Sequence, residues 1–271
     1  MEVSIATRAR WAGATRLAGI PRRFWLGAAS VGLVLAVWVL LAALRWIDPN
    51  RVPGPLEVWA AATRLVTRGY ANGTLWAHIK ESAGLVLVGF VVAVSTGVPV
   101  GLLMGCSRRA EAFLNPVLQL IRPVPPLAWI PLAIVWFGLG TGAKVFVIWL
   151  AAFVPSWVNT LTGVRQVDPV LLAAARVHGA SSRQVLTEVI VPGALPYIFT
   201  GLRLSLQASW TTLVAAELVG AFVGLGQVLI VAARDIYPGM IALAMFCVGL
   251  LGATMTALLG AVERAVMPWQ R

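Results

Sequence analysis

At helical pitch, Arg203, Gln207, Trp210 and Glu217 fall within about 40° of one line, with Thr211 beside it, in an otherwise apolar stretch. Such a stripe faces a bundle interior or water rather than lipid. Arg203 and Gln207 together offer hydrogen-bond donors to a small anion. The same arginine lies about 10 Å along the helix from Pro196, so it equally reaches a headgroup boundary on its own stem. Glu217 either pairs with a basic loop residue or belongs to a gate, and pairing is the simpler expectation. Arg122, beside Pro123, attracts anions or anchors the chain at a boundary, and anchoring is the simpler expectation there.

Covalent and metal chemistry find less to work with. His78 and His178 have no His or carboxylate at metal-ligand spacing, so no metal site is expected. Cys106 and Cys247 stand apart in apolar surroundings without CxxC or CxxH spacing and read as packed small hydrophobes. No GxxxxGK[ST] loop, GxSxG elbow or HExxH helix occurs. The chain is therefore expected to bind no cofactor, and any ATP chemistry must come from another polypeptide.

The elements that carry these residues follow from composition. The 271 residues are 59% hydrophobic and 11% charged, with mean hydropathy +0.87. A soluble domain has about 25% charged residues, so this chain reads as an all-α integral membrane protein. Its net charge of +11 raises nucleic acid as a partner, but the arginines lie between apolar runs, where the positive-inside rule accounts for them.

Six spans are expected. Residues 1–29 form a basic segment with Arg8, Arg10, Arg16, Arg22 and Arg23, too long for a signal peptide, and a retained first helix runs from Ser30 to Trp46. A polar stretch, 47–77, holds a short interfacial helix from Leu56 to Leu65 after the break at 53–55. The second span, 79–105, carries Gly97, Gly101 and Gly105 on one face bare enough for close packing, which is preferred over a hinge at Gly97–Pro99. A turn at 107–111 leads to a third span, 114–138. Its prolines 116, 123, 125, 126 and 131 predict a broken helix internal to the bundle. The fourth span runs from Lys144 to Gly163, the fifth from Leu195 to Val219, and the sixth covers 240–262, after a re-entrant or surface stretch. Trp46, Trp59, Trp76, Trp149 and Trp157 are expected in interfacial belts.

Both termini then share one side. Arg8, Arg10, Arg16, Arg22, Arg23, Arg108, Arg109, Arg165, Arg176, Arg183, Arg264 and Arg271 fall there, against Arg45, Arg51, Arg64, Arg68, Lys80, Lys144 and Arg234 opposite. The latter are partly offset by Asp48, Glu57, Glu81 and Asp235, so the first side is expected to be cytoplasmic. No direct or inverted repeat is visible, which weighs against a secondary carrier. The carboxylates such a carrier would need, among Glu81, Glu188 and Glu217, sit at span ends or in the loop. A membrane-embedded enzyme would need clustered His or Asp at one interface, and the sequence lacks them.

The polar loop 164–194 is the largest interruption on the cytoplasmic side. Asp168-Pro169 starts a helix through Val177, Gly179 breaks it, and Ser181-Ser182 caps a second helix that Pro192-Gly193 ends near Val191. Ala173, Ala174 and Ala175 give the first helix a small-residue surface. Two readings stay open on the residues alone: a knob that enters a soluble partner, or an amphipathic helix lying on the membrane.

The run from Ala174-Ala175-Arg176-Val177-His178-Gly179 to Val189 and Pro192 resembles the EAA loop of permease subunits of binding-protein-dependent ABC importers, with Ala173 where that family has glutamate. The likeness extends from about residue 30 to the C-terminus. Residues 122–140, 180–206 and 210–221 are most similar to the taurine, aliphatic-sulfonate and nitrate branch, the taurine permeases in particular. The resemblance implies a five-helix MetI-like permease core plus one N-terminal helix, in the bacterial inner membrane. It implies a homodimer, a pair of ABC ATPase subunits holding ATP and Mg, and an extracytoplasmic solute-binding protein. The solute would be a small anion: taurine or another alkanesulfonate, with nitrate or bicarbonate as the alternative. Ala173, Ala174, Ala175, Arg176, His178, Gly179, Ala180 and Ser181 would then couple to the ATPase, and the chain itself would not be an enzyme.

Overall fold

In lipid, where burying apolar surface no longer separates helix from solvent, close backbone approach decides which helices meet. The computed structural model describes residues 22–44 and 52–270; Arg8, Arg10, Arg16, Arg45, Trp46, Asp48, Arg51 and Arg271 lie outside them. Among the described residues the chain is helical, apart from an isolated bridge between Tyr70 and Gly73. Five of these helices are long and apolar enough to cross a membrane, and two bent arms make a sixth crossing if taken together.

The chain divides into two units after Pro55. In the first, α1 (Arg22–Ala43) starts earlier than the expected Ser30, and the Trp38 indole N–H donates to the Pro53 carbonyl at 3.1 Å. The second, from Leu56 onward, holds all but the first residue of α2 (Pro55–Thr67), then α3 (Leu75–Cys106), α4 (Arg108–Ile121), a 3₁₀ turn (Pro126–Trp129), α5 (Ile130–Phe137) and α6 (Thr141–Arg165). It continues with α7 (Pro169–Val177), α8 (Ser182–Gln184), a π turn (Val185–Ile190), α9 (Val191–Gly220), α10 (Leu225–Arg234) and α11 (Pro238–Val266).

α6 lies between α3 and α9, and small residues line both seams. A Cβ built on Gly101 would sit 2.6 Å from the Thr160 Cβ and 2.7 Å from the Trp157 carbonyl; one on Gly105 would meet Val164 at 2.6 Å. On the other seam a Cβ on Gly163 would lie 2.7 Å from Tyr197, and one on Gly201 would lie 2.8 Å from Asn159. The Ser205 hydroxyl donates to the Ala152 carbonyl at 2.6 Å across the same seam. The predicted glycine face is thus a packing face. α3 continues through Pro99 without a break, so no hinge forms there.

Four expectations are corrected. Residues 107–111 are not a free turn: the Ser107 hydroxyl caps α4 by accepting from the Ala110 N–H, so both arginines enter the helix. The third span is bent, by 82° between its arms, and only its second arm is internal among the described residues, where Ile130 and Ala133 of α5 pack with Ala143, Val147 and Ala216. α4 buries no side chain among the described residues, and Phe113, Leu120 and Val135 are exposed. Pro192-Gly193 does not end a helix; α8, the π turn and α9 form one rod from Ser182 to Gly220. Pro192 lacks an N–H and its ring crowds the Glu188 carbonyl, so the chain widens into a π turn there rather than stopping. Finally, Trp157 is buried at mid-helix, and Trp149 joins a row of rings with Phe146 and Phe153 at 5.7 and 5.5 Å, while Trp59 and Trp76 are exposed.

At the end of the bundle where α6 begins, Ala61 and Leu65 of α2 pack with Val228 and Ala232 of α10 and with Met240 of α11. The Tyr70 hydroxyl donates to Asp235 at 2.6 Å, and burial, then this bond, raises its pKa above the ordinary phenol range. The segment expected as re-entrant or surface thus contains a packed helix, α10.

Candidate functional site

The predicted site residues fall in two places, the loop that precedes the Ser182–Gly220 rod and a stripe along the second half of that rod, with Arg122 apart at the end of α4. The first is the loop between α6 and that rod. The Asp168 carboxylate accepts from the Val170 N–H at 2.8 Å and Pro169 opens α7, the start the sequence implied. Gly179 takes φ +78°, the left-handed stop that glycine reaches without strain. Ser181 and Gln184 form a capping box, with the Ser181 N–H donating to Gln184 Oε1 at 2.9 Å. Local chemistry therefore fixes this shape.

What α7 lacks is a core. Among the described residues none of its side chains is buried, and Val170, Leu171 and Val177 are 70%, 56% and 85% exposed. Ala173, Ala174, Arg176, His178, Gly179 and Ser181 are exposed too, with Ala175 and Ala180 half-buried. A cavity of about 300 Å³ lies beside it, lined by Cys106, Arg176, Ala180, Ser182 and Leu186. Glu111 of α4 pairs with Arg165 at the close of α6, which keeps the starts and ends of these helices together at one arginine-rich end. The loop is a preformed, apolar-tipped projection.

The second place is the stripe on α9, which the fold splits along its length. Gln207 and Thr211 are exposed; Trp210 and Glu217 are buried. Arg203 forms an ion pair with Glu263 of α11, so its charge is neutralised within the chain. Arg122 is exposed at the end of α4, beside the bend. The six predicted positions do not converge on one point. A double-mutant cycle on Arg203→Gln and Glu263→Gln should return a coupling of about 0.5–1 kcal/mol in thermal unfolding, the size of a partly exposed pair. A coupling of zero would mean that Arg203 is free to meet an anion.

Glu217 is fully buried and held by hydrogen bonds, and the buried Lys144 at the start of α6 adds an electrostatic attraction. Its Oε1 accepts from the Ser82 hydroxyl at 2.8 Å and its Oε2 from the Gly226 N–H at 2.8 Å. Ser82 Oγ accepts from the Leu225 N–H at 2.9 Å. His78 Nδ1 accepts from the Gly224 N–H at 3.0 Å, and its Nε2 lies 2.9 Å from the Tyr70 carbonyl, which assigns the Nε2–H tautomer. Sequence reading missed Ser82, His78, Gly224, Gly226 and Glu263. The only signal was the pair of glycines spaced by Leu225, ahead of a short apolar helix.

Against known proteins, residues 97–271 match the family model described as binding-protein-dependent transport system inner membrane component. The chain is 37% identical over 251 residues to the taurine transport system permease protein TauC of Escherichia coli, covering 92% of this chain and 91% of that one. It is 35% identical over 242 residues to the bicarbonate transport system permease protein CmpB of Synechococcus elongatus, covering 86% of each. Among solved structures, a chain from the inward-facing conformations of the MetNI methionine ABC transporter superposes with a TM-score of 0.63 at 20% identity. That match covers 71% of this chain and 97% of the other, and it shares the fold.

Proposed function

The chain belongs to the family of binding-protein-dependent transport system inner membrane components, and from that premise we propose that it carries a small anionic solute, taurine or another alkanesulfonate, with α7 as the seat of its ATPase. It is a multi-pass membrane subunit of an ABC transporter, and not an enzyme. Hydrolysis belongs to a separate subunit, and the family works with a solute-binding protein. The observation that carries the docking proposal is the exposure of α7: its shape is fixed by its own caps, yet its apolar tip has no cover among the described residues.

In this reading two copies of the chain face each other across a pathway, each seating Ala173 to Ser181 in a groove of one ATPase. The arginine-rich end and both termini lie in the cytoplasm, in accord with the positions of Arg108, Arg109, Arg165 and Arg183. Exposed Gln207 and Thr211, with Arg122 at the bend, are the polar groups available to line the pathway; Arg203 contributes when Glu263 releases it. A sulfonate needs transient donors of this kind, because tight binding would stop release. The 37% identity to a taurine permease supports the choice of solute.

The test is reconstitution. The purified chain alone should hydrolyse no ATP. In liposomes with its ATPase and binding protein, it should take up labelled taurine only when ATP is supplied. Uptake that ionophores abolish and ATP depletion leaves unchanged would make it a secondary carrier instead.

A further inference from the structure

α10 begins without a cap of its own. Its N-cap residue is Gly224, which has no side chain, yet the N–H groups of Gly224, Leu225 and Gly226 are all satisfied. Their acceptors are His78 and Ser82 of α3 and Glu217 of α9. A helix that needs only to start can do so with Ser, Thr or Asp at its N-cap. Here the task is handed to a carboxylate on a different helix, at a site where burying a charge is costly.

The surroundings are shaped for that carboxylate. Gly224 holds φ +145°, and a Cβ there would collide with the Glu217 carboxylate. A Cβ on Gly226 would lie 2.6 Å from the Glu217 Cβ and 2.8 Å from the Val214 carbonyl. With both positions bare, the start of α10 closes directly onto Glu217. Its N-terminal dipole then points at the Glu217 carboxyl group.

The helix that bears Glu217 is the rod from Ser182 to Gly220, 39 residues and about 58 Å long. One end is capped by Ser181, directly after α7; the other grips α10 and, through Ser82, α3. We propose that Glu217 is a positioning residue that transmits displacement of the α7 end of the rod to α10 at the far side of the membrane, and so sets the coupling of ATP hydrolysis to solute entry. This rests on the importer reading above. Packed helices carry such movement as discrete shifts rather than gradual bending. A buried carboxyl group with directional hydrogen bonds to both neighbours makes the far joint stiff, whereas apolar contacts alone would let α10 slide.

Glu217→Gln keeps the shape but replaces an all-acceptor group by one whose amide N–H₂ faces the Ser82 hydroxyl or the Gly226 N–H. Ser82→Ala removes a single hydroxyl and serves as the second variant should the first assemble poorly. Each is reconstituted with the ATPase and binding protein, and uptake, binding-protein-stimulated hydrolysis and unstimulated hydrolysis are measured per assembled complex. Both variants should hold unstimulated hydrolysis near the wild-type level while solute moved per ATP falls about tenfold, within the usual range of coupling between sites. Assembled variants that move as much solute per ATP as wild type would overturn the proposal, whatever their yield, because Glu217 would then only hold the fold. A wild-type complex that shows no ATP-driven uptake is a different failure: it removes the importer reading itself, before any variant is compared.

Discussion

Gly179→Trp will lower solute uptake by about a hundredfold, near the upper range of coupling between distant sites, in a chain that still inserts into the membrane. Gly179 sits at φ +78° with nothing within 4 Å of a built Cβ among the described residues. A non-glycine residue there bears about 1–2 kcal/mol of left-handed strain, too little to unfold the bundle. The indole ring instead projects from the exposed tip that α7 presents, which the proposed docking seats in a partner groove shaped for small side chains. Gly179→Ala carries the strain without the bulk and should retain most uptake. Comparing the two by transport assay and by co-purification with the ATPase separates docking from backbone strain. Full uptake by the tryptophan variant would show that the tip does not seat in a partner.

Gly101→Leu is expected to destabilise the bundle by at least about 3 kcal/mol, at or beyond the top of the range for overpacking. The Cβ alone would stand 2.6 Å from Thr160 and 2.7 Å from the Trp157 carbonyl, a backbone atom that cannot rotate away. α3 and α6 must then separate, which also loosens Gly97 against Ser156 and Gly105 against Val164. Gly84→Leu is the internal control, since it lies on the same helix with nothing within 4 Å of its Cβ among the described residues. Thermal unfolding in detergent should show a large drop for position 101 and little change for position 84. Equal unfolding temperatures would mean that the seam is not close-packed in the membrane.

Sequence alone went furthest where the cause is local. Hydropathy located the long helices, because a bilayer admits only runs of apolar residues with internally bonded backbone. The Asp168-Pro169 start, the Gly179 stop and the cap near Ser181 were legible because each acts within four residues. Glycines at 97, 101 and 105 declared a packing face by their period, although not which helix would fill it. Pro192 misled, because a proline that ends a helix in water can instead be absorbed as a π turn when the next turns are held in a bundle.

Tertiary structure decided everything that depends on partners far along the chain. Glu217 meets Ser82 across 135 residues and Arg203 meets Glu263 on another helix, so the stripe that looked continuous on α9 divides into a buried joint and an exposed face. The bend at the third span was written in its prolines, but the uncovered position of its first arm, α4, was not. The physical reason is common to these cases. Lipid sorts whole helices by apolarity, which one sequence window records, whereas each buried polar group must find its hydrogen-bond partner wherever the folded backbone brings it.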